Sequence, residues 1–117
     1  MAWELVHIES AEWLSMQRRP VGDCCYAPWI LEDYPKRLGA RYLSLPEPRR
    51  APILIRLPGD VSWCPDLRAI TEGGVMHGEG WDVVGELPLV SISPSVVLVG
   101  RWHGWIRNGV ISDDLSG

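Results

Sequence analysis

The sequence predicts an α+β fold: a mostly antiparallel β-sheet with one or two short helices near the N-terminus. Three observations carry that expectation. Gly and Pro make up 22 of the 117 residues, which favours many turns and short elements. From residue 53 onward, short β-rich apolar runs alternate with turn residues. Asn108-Gly109 between two such runs is the preferred type I′ hairpin turn, because both central residues need positive φ.

The elements follow in order. Ala2 to Ile8 can form a first strand. Ser10 to Gln17 reads as a short helix with Ser10 as N-cap, Glu12 in the first turn and Pro20 beyond its end. Trp13, Leu14 and Met16 would anchor it. Asp23 to Tyr34 reads as irregular, punctuated by Pro28 and Pro35. Pro35 to Leu45 can be a second helix with Leu38, Tyr42 and Leu45 as an apolar stripe, weakened by Gly39. Pro46 to Pro52 reads as an extended connector. Ile53 to Leu57, a Pro58-Gly-Asp turn and Val61 to Cys64 make a hairpin. Residues 65–80 are the least regular, with Gly73, Gly74, Gly78 and Gly80. Trp81 to Leu87 is a strand. Leu89 to Ser95 alternates, Val90 and Ile92 inward and the serines outward. Val96 to Val99 is expected to be buried on both faces, and Arg101–Arg107 with Val110–Ser112 closes the sheet. The whole reads as one domain over 1–117, with a mixed helical part (1–48) and a β-rich part (49–117).

Composition narrows the function classes. Seven Trp, three Tyr and no Phe is an unusual aromatic set. Trp suits half-buried positions and interfaces, so one or two are expected at a recognition surface. The net charge is −4, with eight Lys/Arg against seven Asp/Glu in residues 1–57 and three against eight in 58–117. That balance is a poor fit for nucleic acid, which rewards phosphate neutralisation. The acidic second half suits a basic protein partner better, or simple solubility. No apolar run approaches membrane-spanning length and no signal peptide is visible, so the host-cell cytoplasm is the expected compartment. Three cysteines, two of them adjacent, are not a disulfide framework.

Residues from about Arg49 onward carry a specific string. It runs Arg50-Ala-Pro-Ile-Leu-Ile-Arg-Leu-Pro-Gly, Trp63-Cys64-Pro-Asp66, Gly80-Trp-Asp-Val-Val-Gly-Glu-Leu-Pro, Ser91-Ile-Ser-Pro-Ser-Val and Trp102-His-Gly-Trp-Ile-Arg-Asn-Gly-Val-Ile-Ser-Asp-Asp. This string resembles a family of small uncharacterised phage and prophage proteins, a domain of unknown function. The resemblance covers a little over half the chain. It implies phage or prophage origin and a small β-rich fold, and no activity. Some relatives carry extra cysteines suited to zinc; this chain has no Cys-x-x-Cys pair.

Candidate sites start with the closing hairpin. Side-chain parity puts Arg101, His103, Trp105 and Arg107 on one face of the strand, and Trp102, Gly104 and Ile106 on the other. The first set suits carboxylates, phosphates or an aromatic partner; the alternative is that the N-terminal helix covers Trp105. A zinc site would draw on Cys24, Cys25, Cys64, His77 and His103, but the spacing is wrong for a structural site. Buried free thiols and no cofactor are the expectation. For catalysis, Asp66, Glu79 and His103 could converge in space, though no Gly-x-Ser-x-Gly or similar signature is present. The glycines from Gly73 to Gly80, with His77 and Trp81 beside them, could form a lid over a small ligand. Arg18-Arg19, Lys36-Arg37 and Arg49-Arg50 would form an anion patch if the fold clusters them.

These readings favour a phage-encoded, non-enzymatic binding protein that inhibits a host component by steric occlusion, such as an antiviral defence (CRISPR) protein. The occluding surface would be the Trp105 face or the acidic second half. The second reading is a small-ligand or signalling-nucleotide sequestering protein that works as a homo-oligomer. The third is a zinc-binding module or a hydrolase.

Overall fold

The computed structural model describes residues 1–70, 76–98 and 101–113. It is an α+β, β-rich fold of two main sheets whose inner faces share one core. In chain order the strands are β1 (Ala2–Glu4), β2 (Val6–His7), β3 (Asp23–Tyr26), β4 (Ile53–Leu57), β5 (Val61–Trp63) and β6 (Ala69–Ile70). They continue with β7 (Met76–His77), β8 (Asp82–Val84), β9 (Ser91–Leu98), β10 (Trp102–Arg107) and β11 (Val110–Asp113). The first sheet is antiparallel in the order β1-β11-β10-β9-β8. The second runs β2-β3-β4-β5, with β2 parallel to β3, and β6 pairs with β7 separately.

The closing hairpin organises the first sheet. Asn108 and Gly109 have φ of 46° and 74°, as the type I′ turn requires. Trp102, Gly104 and Ile106 are buried while Arg101 and Arg107 are exposed, so the parity reading holds. Gly104 is needed there: the Trp102 indole lies over it, and a Cβ would fall on that ring and on the Ser112 carbonyl. The Trp102 N–H donates to Asp113 Oδ2 at 3.3 Å, which satisfies the indole inside the core. Ile92, Val96, Ile106 and Ile111 from this sheet meet Cys24, Ile53, Ile55 and Leu57 from the other. Each fully buried aliphatic side chain contributes about 1.5–3 kcal/mol.

The N-terminal segment departs from the expected single strand. It splits at Leu5, whose side chain enters the core, and β1 joins the first sheet while β2 joins the second. The Leu5 N–H donates to the Gly109 carbonyl and the Val6 N–H to that of Gly22, so the chain changes sheets without losing backbone partners.

Glu9 rather than Ser10 occupies the N-cap position of helix α1 (Ser10–Ser15), without a side-chain capping bond, and the Ser10 hydroxyl donates to the Tyr26 carbonyl at 2.6 Å. Six residues present only one buried position, Trp13; Leu14 is exposed, contrary to the expected anchor set. The segment expected to be irregular holds β3 and helix α2 (Ile30–Asp33). Cys24 and Cys25 are buried on opposite faces of a central strand, so no alternation was visible there. The expected helix over 35–45 is a 3-10 turn at Pro35–Arg37 and a short α3 (Ala40–Leu43). Tertiary hydrogen bonds break it: Gly39 N–H donates to the Asp66 carbonyl at 2.8 Å and Arg41 N–H to that of Glu79 at 3.1 Å. In β9, Val97 is 57% exposed, which corrects the expectation that Val96 to Val99 is buried on both faces; Val99 itself lies outside the described residues.

Candidate functional site

Two surfaces carry recognition chemistry, and they meet at Val97. The first is the outer face of the first sheet. Trp105 is half-buried on β10, with the His103 ring centroid 4.9 Å away and the Arg107 guanidinium 5.8 Å from its ring. Arg101, just before the strand, is exposed. The register sets Trp105 opposite Ser112, Arg107 opposite Val110 and His103 opposite Val97. Val84, on β8 of the same sheet, is 69% exposed. Helix α1 packs against β3 in the other sheet, so it is not the cover considered for Trp105. Glu4, across β11 from Arg107, is the carboxylate that the register brings to this face from β1. His103, Trp105 and Arg107 make the middle of the face basic and aromatic, and Glu4 and Asp82 are carboxylates on its two outer strands.

The second surface is a cleft of about 460 Å³ between β5, α2, β6 and the end of β9. Trp29, Tyr34, Trp63 and Trp81 wall it, and Arg37 and Arg68 supply its charge. Leu54, Cys64 and Leu67 floor it. Trp63 and Trp81 meet edge to face at 5.0 Å, and the Trp81 N–H donates to the Ser95 carbonyl at 3.3 Å. This pair ties the edge of one sheet to β9 of the other. The Trp81 backbone N–H donates to the Pro65 carbonyl, which holds the segment after the glycine-rich region against the cleft wall.

Of the residues picked from sequence, His103, Trp105 and Arg107 lie together on one face of β10, while Arg101 precedes the strand, its Cβ close to Gly59 in the β4–β5 turn. Trp81 belongs to the cleft instead. His77 lies on β7, its backbone paired to Ala69 at the cleft rim. The lid expected over Gly73–Gly80 begins in residues 71–75, outside the described residues. Arg37 had been named only as part of a basic doublet, and Trp29, Tyr34 and Trp63 were missed; the excess of Trp was the one signal that pointed to the tryptophans.

The candidates for catalysis have separate engagements. The Asp66 carboxylate is 1% exposed and accepts both Arg50 Nη groups at 2.8 Å and the Ile53 N–H at 3.0 Å. Glu79 pairs with Arg41 at 3.6 Å, and His103 lies against Trp105. The basic doublets are likewise dispersed. Arg19 stacks on Trp13 and donates to its carbonyl, Arg49 pairs with Glu47, and Arg37 faces the cleft. Cys24, Cys25 and Cys64 are all buried. Burial pushes their thiols up to about 12, 11 and 12 respectively, so the nucleophilic thiolate is scarce at neutral pH. Among the described residues no group of three or more His, Cys, Asp or Glu side chains is arranged to hold a metal ion. Among them, too, no helix is long and apolar enough to cross a membrane.

Comparison with family models, with curated proteins and with solved structures finds no match for this chain.

Proposed function

We propose that this is a phage-encoded, non-enzymatic binding protein that inhibits a host component, an antiviral defence protein such as a CRISPR effector, by steric occlusion through the β10 face. One observation carries the reading: Trp105 is only half-buried on the outer face of the first sheet, between His103 and Arg107, on a face that also exposes Val84 and Val97. Aromatic and arginine side chains set among apolar surface are the groups that dominate binding energy at protein interfaces. The partner surface would be acidic and apolar, to match Arg101, His103 and Arg107. Phage origin rests on the resemblance of residues 49–117.

The acidic second half is the weaker candidate for this role. Asp66 and Asp113 are buried, Glu79 and Asp82 both reach Arg41, and Asp60 reaches Arg56. Much of the formal charge is therefore neutralised within the fold. The test is affinity capture from host lysate with the wild-type protein and with Trp105→Ala. A protein held by the wild type and lost from the folded variant supports occlusion; identical recovery by both overturns it.

A further inference from the structure

We infer that the cleft walled by Trp29, Tyr34, Trp63 and Trp81 binds a planar aromatic anion of mononucleotide size, a site separate from the β10 face and independent of it. Its volume of about 460 Å³ falls within the ~300–1,000 Å³ typical of small-molecule sites. Three of the seven tryptophans converge on it, and none of the three is fully buried, so indole surface is left for a flat ring to stack on. The Trp63–Trp81 pair is fixed by edge-to-face contact and the Trp81 hydrogen bond, so the wall is pre-formed.

Arg37 supplies the anion preference. Its guanidinium sits over Tyr34 at 5.6 Å, and among the described residues no carboxylate pairs with it. Its Nε is buried with no hydrogen-bond acceptor. Buried donors are nearly always satisfied, so this one marks a guanidinium whose partner is not supplied by the described protein groups. A phosphate in the cleft matches the planar fork of that guanidinium. The backbone of β6, paired with β7, borders the same opening through Ala69.

The experiment is a titration of the isotope-labelled protein with AMP, adenosine and inorganic phosphate, read at the indole N–H resonances, each assigned by a single Trp→Phe variant. AMP should shift the Trp29, Trp63 and Trp81 signals saturably and leave Trp3 and Trp105 in place. Adenosine should bind about tenfold or more weakly, since a charged hydrogen bond is lost. Arg37→Gln should bring AMP down to the adenosine affinity. Three results would overturn the assignment: no shift at millimolar AMP, shifts centred on Trp105, or an AMP preference that survives Arg37→Gln. Should that variant not fold, the wild-type ratio of AMP to adenosine decides alone, equal affinities counting against the site.

Discussion

Asp66→Ala probes what positions the cleft, because Asp66 ties Arg50 and Ile53 to the segment that lines it. Its side chain is 1% exposed and accepts three hydrogen bonds, two from Arg50 and one from the Ile53 N–H. Removing one partner of a buried ion pair costs about 3–5 kcal/mol, since the remaining charge is left uncompensated. Arg50 is 22% exposed and can recover some hydration, which pulls toward the lower bound. The Ile53 N–H has no such route, and an unsatisfied buried donor adds about 1–3 kcal/mol. The expected loss is therefore about 4–6 kcal/mol in urea unfolding followed by Trp fluorescence. Replacing the pair together, Arg50→Met with Asp66→Leu, should recover all but the Ile53 share, leaving about 1–3 kcal/mol. A loss below about 1 kcal/mol for Asp66→Ala, with an unchanged denaturant slope, would refute the view that this pair holds the connector.

Two further outcomes follow from the core. Gly104→Ala should destabilise by about 1–3 kcal/mol through overpacking against Trp102, and near-neutral behaviour in the same urea assay would contradict the packing described. The three thiols are raised in the fold from 9.0 to about 11–12, so their contribution is complete below pH 9 and is lost as pH rises toward the folded values. Stability should fall above pH 9 by up to ~1.4 kcal/mol per pH unit per thiol. Cys64→Ala should flatten that fall. A disulfide reagent at pH about 8 should find no reactive thiol until the chain is unfolded; rapid native labelling would contradict the burial.

How far the sequence carried depends on whether a feature is local. The hairpin was legible because Asn108-Gly109 states its turn type and parity alone assigns Trp102 and Trp105 to opposite faces. The strand at Asp23–Tyr26 was not, because a segment buried on both sides shows no alternation and Pro28 follows it closely. The helix expected over 35–45 failed for a tertiary reason: the carbonyls of Asp66 and Glu79 claim the Gly39 and Arg41 N–H groups. The cleft was illegible in detail. Its walls come from residues 29, 34, 37, 63 and 81, which only the sheet topology brings together. Composition could say that some tryptophans must stay half-buried, but not which ones meet. On the β10 face parity separated Trp105 from the buried Trp102, while the absence of α1 from it needed the packing.

The most direct test is the equilibrium affinity of the purified host partner for the wild type, for Trp105→Ala and for Leu14→Ser. Leu14 is 63% exposed on α1, in the element that packs on the other sheet, so it serves as a distant surface control. Interface anchors of this kind cost about 2 kcal/mol or more when truncated, roughly a thirtyfold loss. The account predicts that loss for Trp105→Ala and an unchanged affinity for Leu14→Ser. Affinities within twofold of wild type for Trp105→Ala would contradict it.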